Sequence, residues 1–418
     1  MAARFTLASG ITESVSTFSA YLATFSKRSL SLLLLLTVGL SVCFIYSSHS
    51  PNFLSTTPDA FLFARNASHL LSPGEYDCKK CVKPDVGKLD PRQIWEACLD
   101  PGVLPEYYLT VIMVTRNDDY AGNQYHRLQN AIDSTYLLAE KTQTLMELLI
   151  IEWNPPVGRR GVRGVYRYRR SKFLTYRIIS VPSQIHRPMH ENTQISLYEY
   201  EGKNLGLRYA RGEFVVCTNQ DDIWSANMQN AIVSRAWRKK MFYTQFQHSH
   251  VSHENLPSTI VKLDPFATDK DIESACAHDN YKLGSFEMPD PEQLDKNNFL
   301  RITHEASDFT LAHRDTWKKV GGYREAGAST WMDMELLLTA AWTLDIPVTY
   351  SKATFSCHQQ HPTVVHPGSE KANQNINIDK MKAKEETHLN DQAHWGLQDV
   401  NLWNQDLKCE VFRGGLGM

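Results

Sequence analysis

The sequence predicts an α/β fold, a Rossmann-like, mostly parallel sheet flanked by helices and preceded by a transmembrane helix. Three observations predict the sheet. Short, wholly apolar runs recur along the middle of the chain, at Leu109–Val114, Leu148–Ile151 and Phe214–Cys217. Each ends in a polar cluster, and the segment between the first two carries apolar residues at helical spacing. Apolar runs bounded by turn signals suit strands buried on both faces of a parallel sheet. Polar clusters at strand carboxyl ends lie where ligands bind in such sheets.

The chain of 418 residues is long enough to bury a large core in one or two domains. Its formal net charge of -2 gives no bulk attraction to nucleic acid, so no nucleic-acid partner is expected. Residues 1–28 read as a cytoplasmic tail and 29–47 as a signal anchor. Leu30 to Tyr46 is almost entirely apolar, Lys27 and Arg28 precede it, and no charge follows until Asp59. About twenty apolar residues span a bilayer core, and the positive flank stays cytosolic. The expectation is a single-pass type II protein of the Golgi or endoplasmic reticulum membrane, its folded part lumenal. The alternative is a signal peptide cleaved at Ser47–Ser48.

Residues 48–106 read as a lumenal stem, rich in proline from Pro51 to Pro105. Asn66-Ala67-Ser68 is a glycosylation sequon, usable in the lumen. Cys78-x-x-Cys81 has no second pair at zinc spacing, so disulfide pairing is expected in an oxidising compartment. Of eight cysteines, Cys43 lies in the anchor. The odd remainder leaves one unpaired or intermolecular, and Cys217, inside an apolar strand, is the candidate for the free thiol.

The folded domain is expected over 107–365. Leu109–Val114 forms a first strand ending in Thr115-Arg116-Asn117-Asp118. Tyr125 to Lys141 forms a helix through Leu128, Ile132, Tyr136 and Leu137, and Leu148–Ile151 a second strand closed by Glu152. Gly158 to Arg177 is strongly basic with interleaved tyrosines. In a lumenal protein a solvated loop and strand is the preferred reading, with an anionic acceptor or lipid surface as the alternative. Ile178–Pro182 is the next strand. His186, His190 and Glu191 follow in a loop, at spacings that fit no zinc pattern.

Lys203 to Trp224 is the most informative stretch. Leu205–Ala210 reads as a helix end stopped by Gly212 in a left-handed cap. Phe214–Cys217 is a buried strand, and the acidic cluster Asn219–Asp222 follows at once. A carboxylate pair there suits a hard divalent cation. Beyond it, Met228 to Arg238 reads as a helix and Tyr243 to His250 as a strand. Residues 251–300 read as a polar, irregular, functional insertion. Asp308–Arg314 is a short strand, Trp331 to Ala340 a helix with an acidic start, and Ile346–Tyr350 a final edge strand with proline at its beginning. Residues 366–418 are a polar extension.

These residues carry a resemblance. Asn204-x-Gly206, Ala210-Arg211-Gly212-Glu213, the apolar strand and Asn219-x-Asp221-Asp222 resemble the core of family 2-type glycosyltransferases of GT-A fold, as does the later Gly321-Gly322-Tyr323 turn before an acidic helix start. The likeness covers Tyr107 to His361. It implies a transferase that moves a sugar from a UDP- or GDP-sugar to a glycan, protein or lipid acceptor, with Mn²⁺ or Mg²⁺ on the diphosphate. The family's Asp-x-Asp motif begins here with Asn219, which makes Asp221 the principal metal ligand. His358 or His361 would supply a further ligand; the alternative is an ordinary loop histidine. The implied donor-binding residues are Thr115, Arg116, Asn117, Glu152, Asn204, Arg211, Asn219, Asp222, Gly321 and Gly322. Glu152 is alternatively a solvent-exposed strand end. In inverting members a carboxylate at the later helix start is the general base. Asp333 matches best, then Glu335, with Asp308 third; favourable helix-end electrostatics is the alternative reading of Asp333. A retaining transferase and a catalytically inactive lumenal sugar-binding or scaffold protein remain alternatives.

Overall fold

The computed structural model describes residues 105–190, 194–245, 260–265, 267–276, 286–287, 309–327, 332–351, 354–362, 379–380, 383–385, 389–391, 394–398 and 407–414. The expected tail, anchor, sequon and Cys78-x-x-Cys81 lie outside the described residues, as do Glu191 and Asp308. No described helix is long and apolar enough to cross a membrane.

The expected strand–helix–strand opening is present. Strand β1 (Tyr107–Thr115) leads to α1 (Gln124–Thr142) and β2 (Met146–Trp153). Then come α2 (Val162–Val165), β3 (Leu174–Val181), α3 (Ser183–His186), α4 (Glu199–Tyr209), β4 (Gly212–Cys217), β5 (Asp222–Trp224) and α5 (Ala226–Val233). Next are β6 (Phe242–Gln245), β7 (Ile260–Val261), α6 (Asp269–Ala275), β8 (Phe286–Glu287), β9 (Thr310–His313) and α7 (Arg314–Val320). Helix α8 (Met332–Leu338) runs into a wider π-helical turn, Thr339–Thr343, followed by β10 (Val348–Ser351), β11 (Ser356–Gln359) and β12 (Lys408–Phe412).

Nine strands form the central sheet in the order β12-β3-β2-β1-β4-β9-β6-β10-β8. Strands β3, β2, β1 and β4 run parallel, β6 pairs parallel with β10, and β9 is antiparallel to both β4 and β6. The continuous apolar runs follow from burial on both faces. Ile112, Val114, Leu149, Ile151 and Val215 join the core under α4, α7 and α8 with Leu205, Trp317 and Leu337. Their neighbours Val111, Met113, Leu148, Ile150 and Val216 join the opposite core under α1 and α5 with Leu128 and Met228. Alternate residues of a strand point to opposite faces, so each run feeds both cores.

Helix α4 is buried nearly all round, including Glu201, Lys203 and Arg208. It presses against β1 so closely that a Cβ at Gly206 would stand 2.7 Å from Ile112, and one at Gly202 2.7 Å from Val114.

Several expectations change. Gly212 does not cap a helix: Ala210, in extended conformation, ends α4, and Gly212 is the first residue of β4. Its glycine is required by close approach, since a Cβ would lie 2.5 Å from the Thr110 nitrogen. Helix α5 is shorter than Met228–Arg238 and is followed by Arg235 in left-handed conformation. Strand β6 is described only to Gln245. Strand β10 is neither final nor at the edge, because β8 pairs outside it and β11 and β12 follow. The 251–300 segment contains α6, started by a capping box between Thr268 and Asp271. Within the 366–418 extension, β12 adds to the edge of the same sheet, antiparallel to β3.

A second, three-stranded sheet, β5-β11-β7, lies beyond the carboxyl end of β4. Its register sets His358 opposite Asp222. A disulfide between Cys276 and Cys357 ties the end of α6 to β11. Cys217 is buried and free, as expected.

Candidate metal site

The site is built on the turn that leaves β4. Asp222 fixes this turn by accepting hydrogen bonds from the Thr218 hydroxyl at 2.7 Å and the Asn219 backbone nitrogen at 3.1 Å. Its other oxygen faces His358 Nδ1 at 3.1 Å. Asp221, one residue earlier, is buried. Its Oδ2 lies 3.2 Å from Arg127 Nε and 3.3 Å from His361 Nε2, and its Oδ1 lies 3.6 Å from His358 Nδ1. The two imidazoles meet with Nε2 atoms 3.0 Å apart. Burial pushes the Asp221 carboxyl up, but the two histidines and Arg127 outweigh it and hold it below the usual carboxylate range.

The three residues expected to hold a metal are therefore brought together. One ligand atom from each of Asp221, His358 and His361 lies within 4.8 Å of the others, and no other described group gathers three such ligands this way. An ionised carboxylate converging with two imidazole nitrogens fits a divalent cation. A cavity of about 520 Å³ opens beside the cluster, lined by Gly122, Asn123, His126, Lys262, Gln360 and His361 among others.

The expected donor-binding residues divide. Thr115, Arg116 and Asn117 stand at the carboxyl end of β1, where their side chains hold the loops together. The Thr115 hydroxyl accepts from Gln124, Arg116 bonds the Asn154 carbonyl and Asp118, and Asn117 donates to the Arg160 carbonyl. Glu152 is buried, not solvent-exposed, and both of its oxygens are engaged, by the Val162 backbone nitrogen and the Ser180 hydroxyl. Arg211 is not brought to the cluster. It precedes β4 at the strand's amino end, where it pairs with Glu106, while Asp221 follows the carboxyl end. His186 accepts from the Trp153 indole and His190 pairs with Glu201, so neither joins the metal group.

Asn204 clamps the glycine turn. Its carboxamide oxygen accepts from Tyr323 N at 2.7 Å, and its nitrogen donates to the Tyr323 carbonyl and to Glu325. Gly321 and Gly322 have φ of 78° and 70°, the left-handed values glycine tolerates, and a Cβ on Gly322 would collide with the Asn204 carboxamide.

Asp333 lies in the first turn of α8 and is 4 % exposed. Its Oδ1 accepts from the Tyr200 hydroxyl at 3.0 Å. Burial pushes its pKa up to about 6, against the opposing pull of Lys203. Glu335, also buried, pairs with Arg324 at 3.3 Å. Lys203 is fully buried, lies 2.6 Å from Glu199, and donates to Asn219 Oδ1 at 3.4 Å. Sequence reading missed Arg127, Tyr200 and Lys203. Lys203 adjoins Asn204 in the α4 motif, whereas Arg127 carries no local signal.

No protein-family model matches this chain, and no curated protein matches it. Solved structures do. The chain is similar to S. aureus TarS 1–349 in complex with UDP, at 13% identity over 68% of this chain and 68% of that chain, with a TM-score of 0.36. It is similar to M. tuberculosis glucosyl-3-phosphoglycerate synthase at 11% identity, 70% and 81% coverage and a TM-score of 0.32. It is also similar to GalNAc-T7 with UDP, GalNAc and Mn²⁺, at 12% identity, 66% and 50% coverage and a TM-score of 0.34.

Proposed function

We propose that the chain is a metal-dependent glycosyltransferase of GT-A type, which transfers a sugar with inversion from a nucleotide-diphospho-sugar to a hydroxyl of a glycan, protein or lipid acceptor. The observation that carries this reading is the Asp221–His358–His361 group at the carboxyl end of a parallel strand, the end of an α/β sheet where ligands bind. Two imidazoles and one carboxylate suit Mn²⁺ better than Mg²⁺, which prefers oxygen ligands. The cation, when bound, neutralises charge on the departing diphosphate.

The chain's own residues do the rest. In the transfer the acceptor oxygen bonds to the anomeric carbon, and the bond from that carbon to the diphosphate oxygen breaks, its electron pair leaving with the nucleotide. Asp333 takes the hydroxyl proton. Its raised pKa supports this role, because a base with pKa near 6 is ionised at neutral pH yet basic enough to accept a proton in the transition state. Asn204 holds the Gly321–Gly322 turn in the shape that would wrap the sugar. Asn219 replaces a carboxylate without emptying the metal group, which favours an active enzyme over an inactive binding protein. The apolar run over 29–47 and the Cys276–Cys357 disulfide support a type II, lumenal protein of the Golgi or endoplasmic reticulum.

The test is thermal stabilisation of the purified protein by UDP, GDP and their sugar conjugates, with and without Mn²⁺, beside Asp221→Ala. A Mn²⁺-dependent shift with one nucleotide, lost in the variant, is expected. No shift with any nucleotide would refute the transferase reading.

A further inference from the structure

A lysine on the inner side of a helix, with no exposed surface, needs a reason, because burying an ammonium is costly unless it is paired. Lys203 has a partner one turn back, Glu199, 2.6 Å away. That pair alone would be as well served at the surface, where Glu199 is partly exposed. Instead the ammonium reaches inward, 3.4 Å from Asn219 Oδ1 on the metal turn, 5.4 Å from the centre of the Tyr200 ring and 5.9 Å from that of Tyr323. Tyr200 in turn donates its hydroxyl to Asp333.

We propose that Lys203 is a positioning residue for the transfer, a buried cation that keeps Asp333 in its carboxylate form and ties this base to the turn carrying the metal group. The proposal rests on the reading of Asp333 as the base. Among the described residues, the titratable groups of the cluster are Glu199, Tyr200 and Lys203 on α4, Cys217 on β4, Tyr323 and Arg324 after α7, and Glu335 on the helix of Asp333 itself. Burial pushes Tyr200, Tyr323 and Cys217 up, so all three are neutral at working pH. Arg324 pairs with Glu335. Lys203, although paired with Glu199, opposes the desolvation of Asp333, and a nearby cation favours the ionised carboxyl. The same ammonium, bonded to Asn219, gives the base and the metal turn a common anchor.

The experiment titrates Asp333 directly, without donor or acceptor, by following the infrared band of its protonated carboxyl, assigned by its loss in Asp333→Asn. In Lys203→Met the midpoint should rise by at least about one pH unit, a tenfold gain in proton affinity, and the acid limb of kcat/KM should move with it. Lys203→Arg should stay near the parent. Lys203→Gln keeps an amide for Glu199 and Asn219 while losing the charge, and gives the same reading if Lys203→Met does not fold. A midpoint within about 0.3 unit of the parent in the neutral variants, whatever their stability, overturns the proposal, because purely structural support would leave it unmoved. If instead the midpoint moves but Asp333→Asn transfers sugar at the parental rate, it is the assignment of Asp333 as base that falls.

Discussion

Burial of Asp333 costs the fold stability and, on the proposed reading, prepares the residue for proton transfer. Its folded pKa of about 6 lies above the ordinary aspartate value of 3.8, so the native state holds the proton more tightly than the unfolded chain. The penalty is therefore fully present above about pH 6 and fades as pH falls toward 4. Asp333→Asn should therefore melt higher than the parent at pH 7.5, by an amount on the order of 2–3 kcal/mol, and the gap should close near pH 4. The same variant should lose roughly 10²–10⁴-fold in kcat while keeping Mn²⁺-dependent stabilisation by donor nucleotide. A scanning-calorimetry series across pH, with steady-state rates, checks both. At this scale the convergence of Asp221, His358 and His361 was legible, because each carries a metal-ligating side chain apparent in the sequence, while the role of Asp333 stays a proposal. Arg127 was not, because its role depends on a hydrogen bond to Asp221 ninety-four residues away.

At the scale of elements, α4 and β11 hold the site in place. Gly206→Ala would force a Cβ into Ile112 and should destabilise the domain by about 1–3 kcal/mol, read as a lower urea midpoint. Strand β11 carries His358 and is clamped to α6 by Cys276–Cys357, in a small core with Ile223 and Val261. Removing the clamp with Cys276→Ser should weaken Mn²⁺ affinity several-fold while leaving the main sheet folded, since the larger cores do not include either cysteine. Mn²⁺ titration with far-ultraviolet circular dichroism separates these effects. The elements legible in the sequence were those with strong local signals, such as β1, β2 and α1. Strands β5, β7 and β11 are two to four residues long and exist through pairing with distant partners, so no local pattern announces them. Gly212 was misread for the same reason: the contact that demands glycine comes from β1, not from its neighbours in sequence.

Across the whole molecule, the sheet order joins segments from Tyr107 to Phe412, so the late β12 strand and the early β3 strand stabilise one another. Deleting 407–418 would expose the β3 edge and should promote aggregation, checked by size-exclusion chromatography. If the chain is a type II lumenal protein, Asn66 should be glycosylated in secretory-pathway expression, and glycosidase treatment should shift its mobility; an unshifted band would count against that topology.

On the proposed reading, Asp221, His358 and His361 form a Mn²⁺ site that works with a nucleotide. Electron paramagnetic resonance, counting free Mn²⁺ in the presence of UDP or GDP for the parent protein and His361→Ala, tests this site. One tightly held ion per parent chain is expected, with a loss of affinity of at least about tenfold in the variant. Equal binding in the two proteins, or none in either, would contradict that reading.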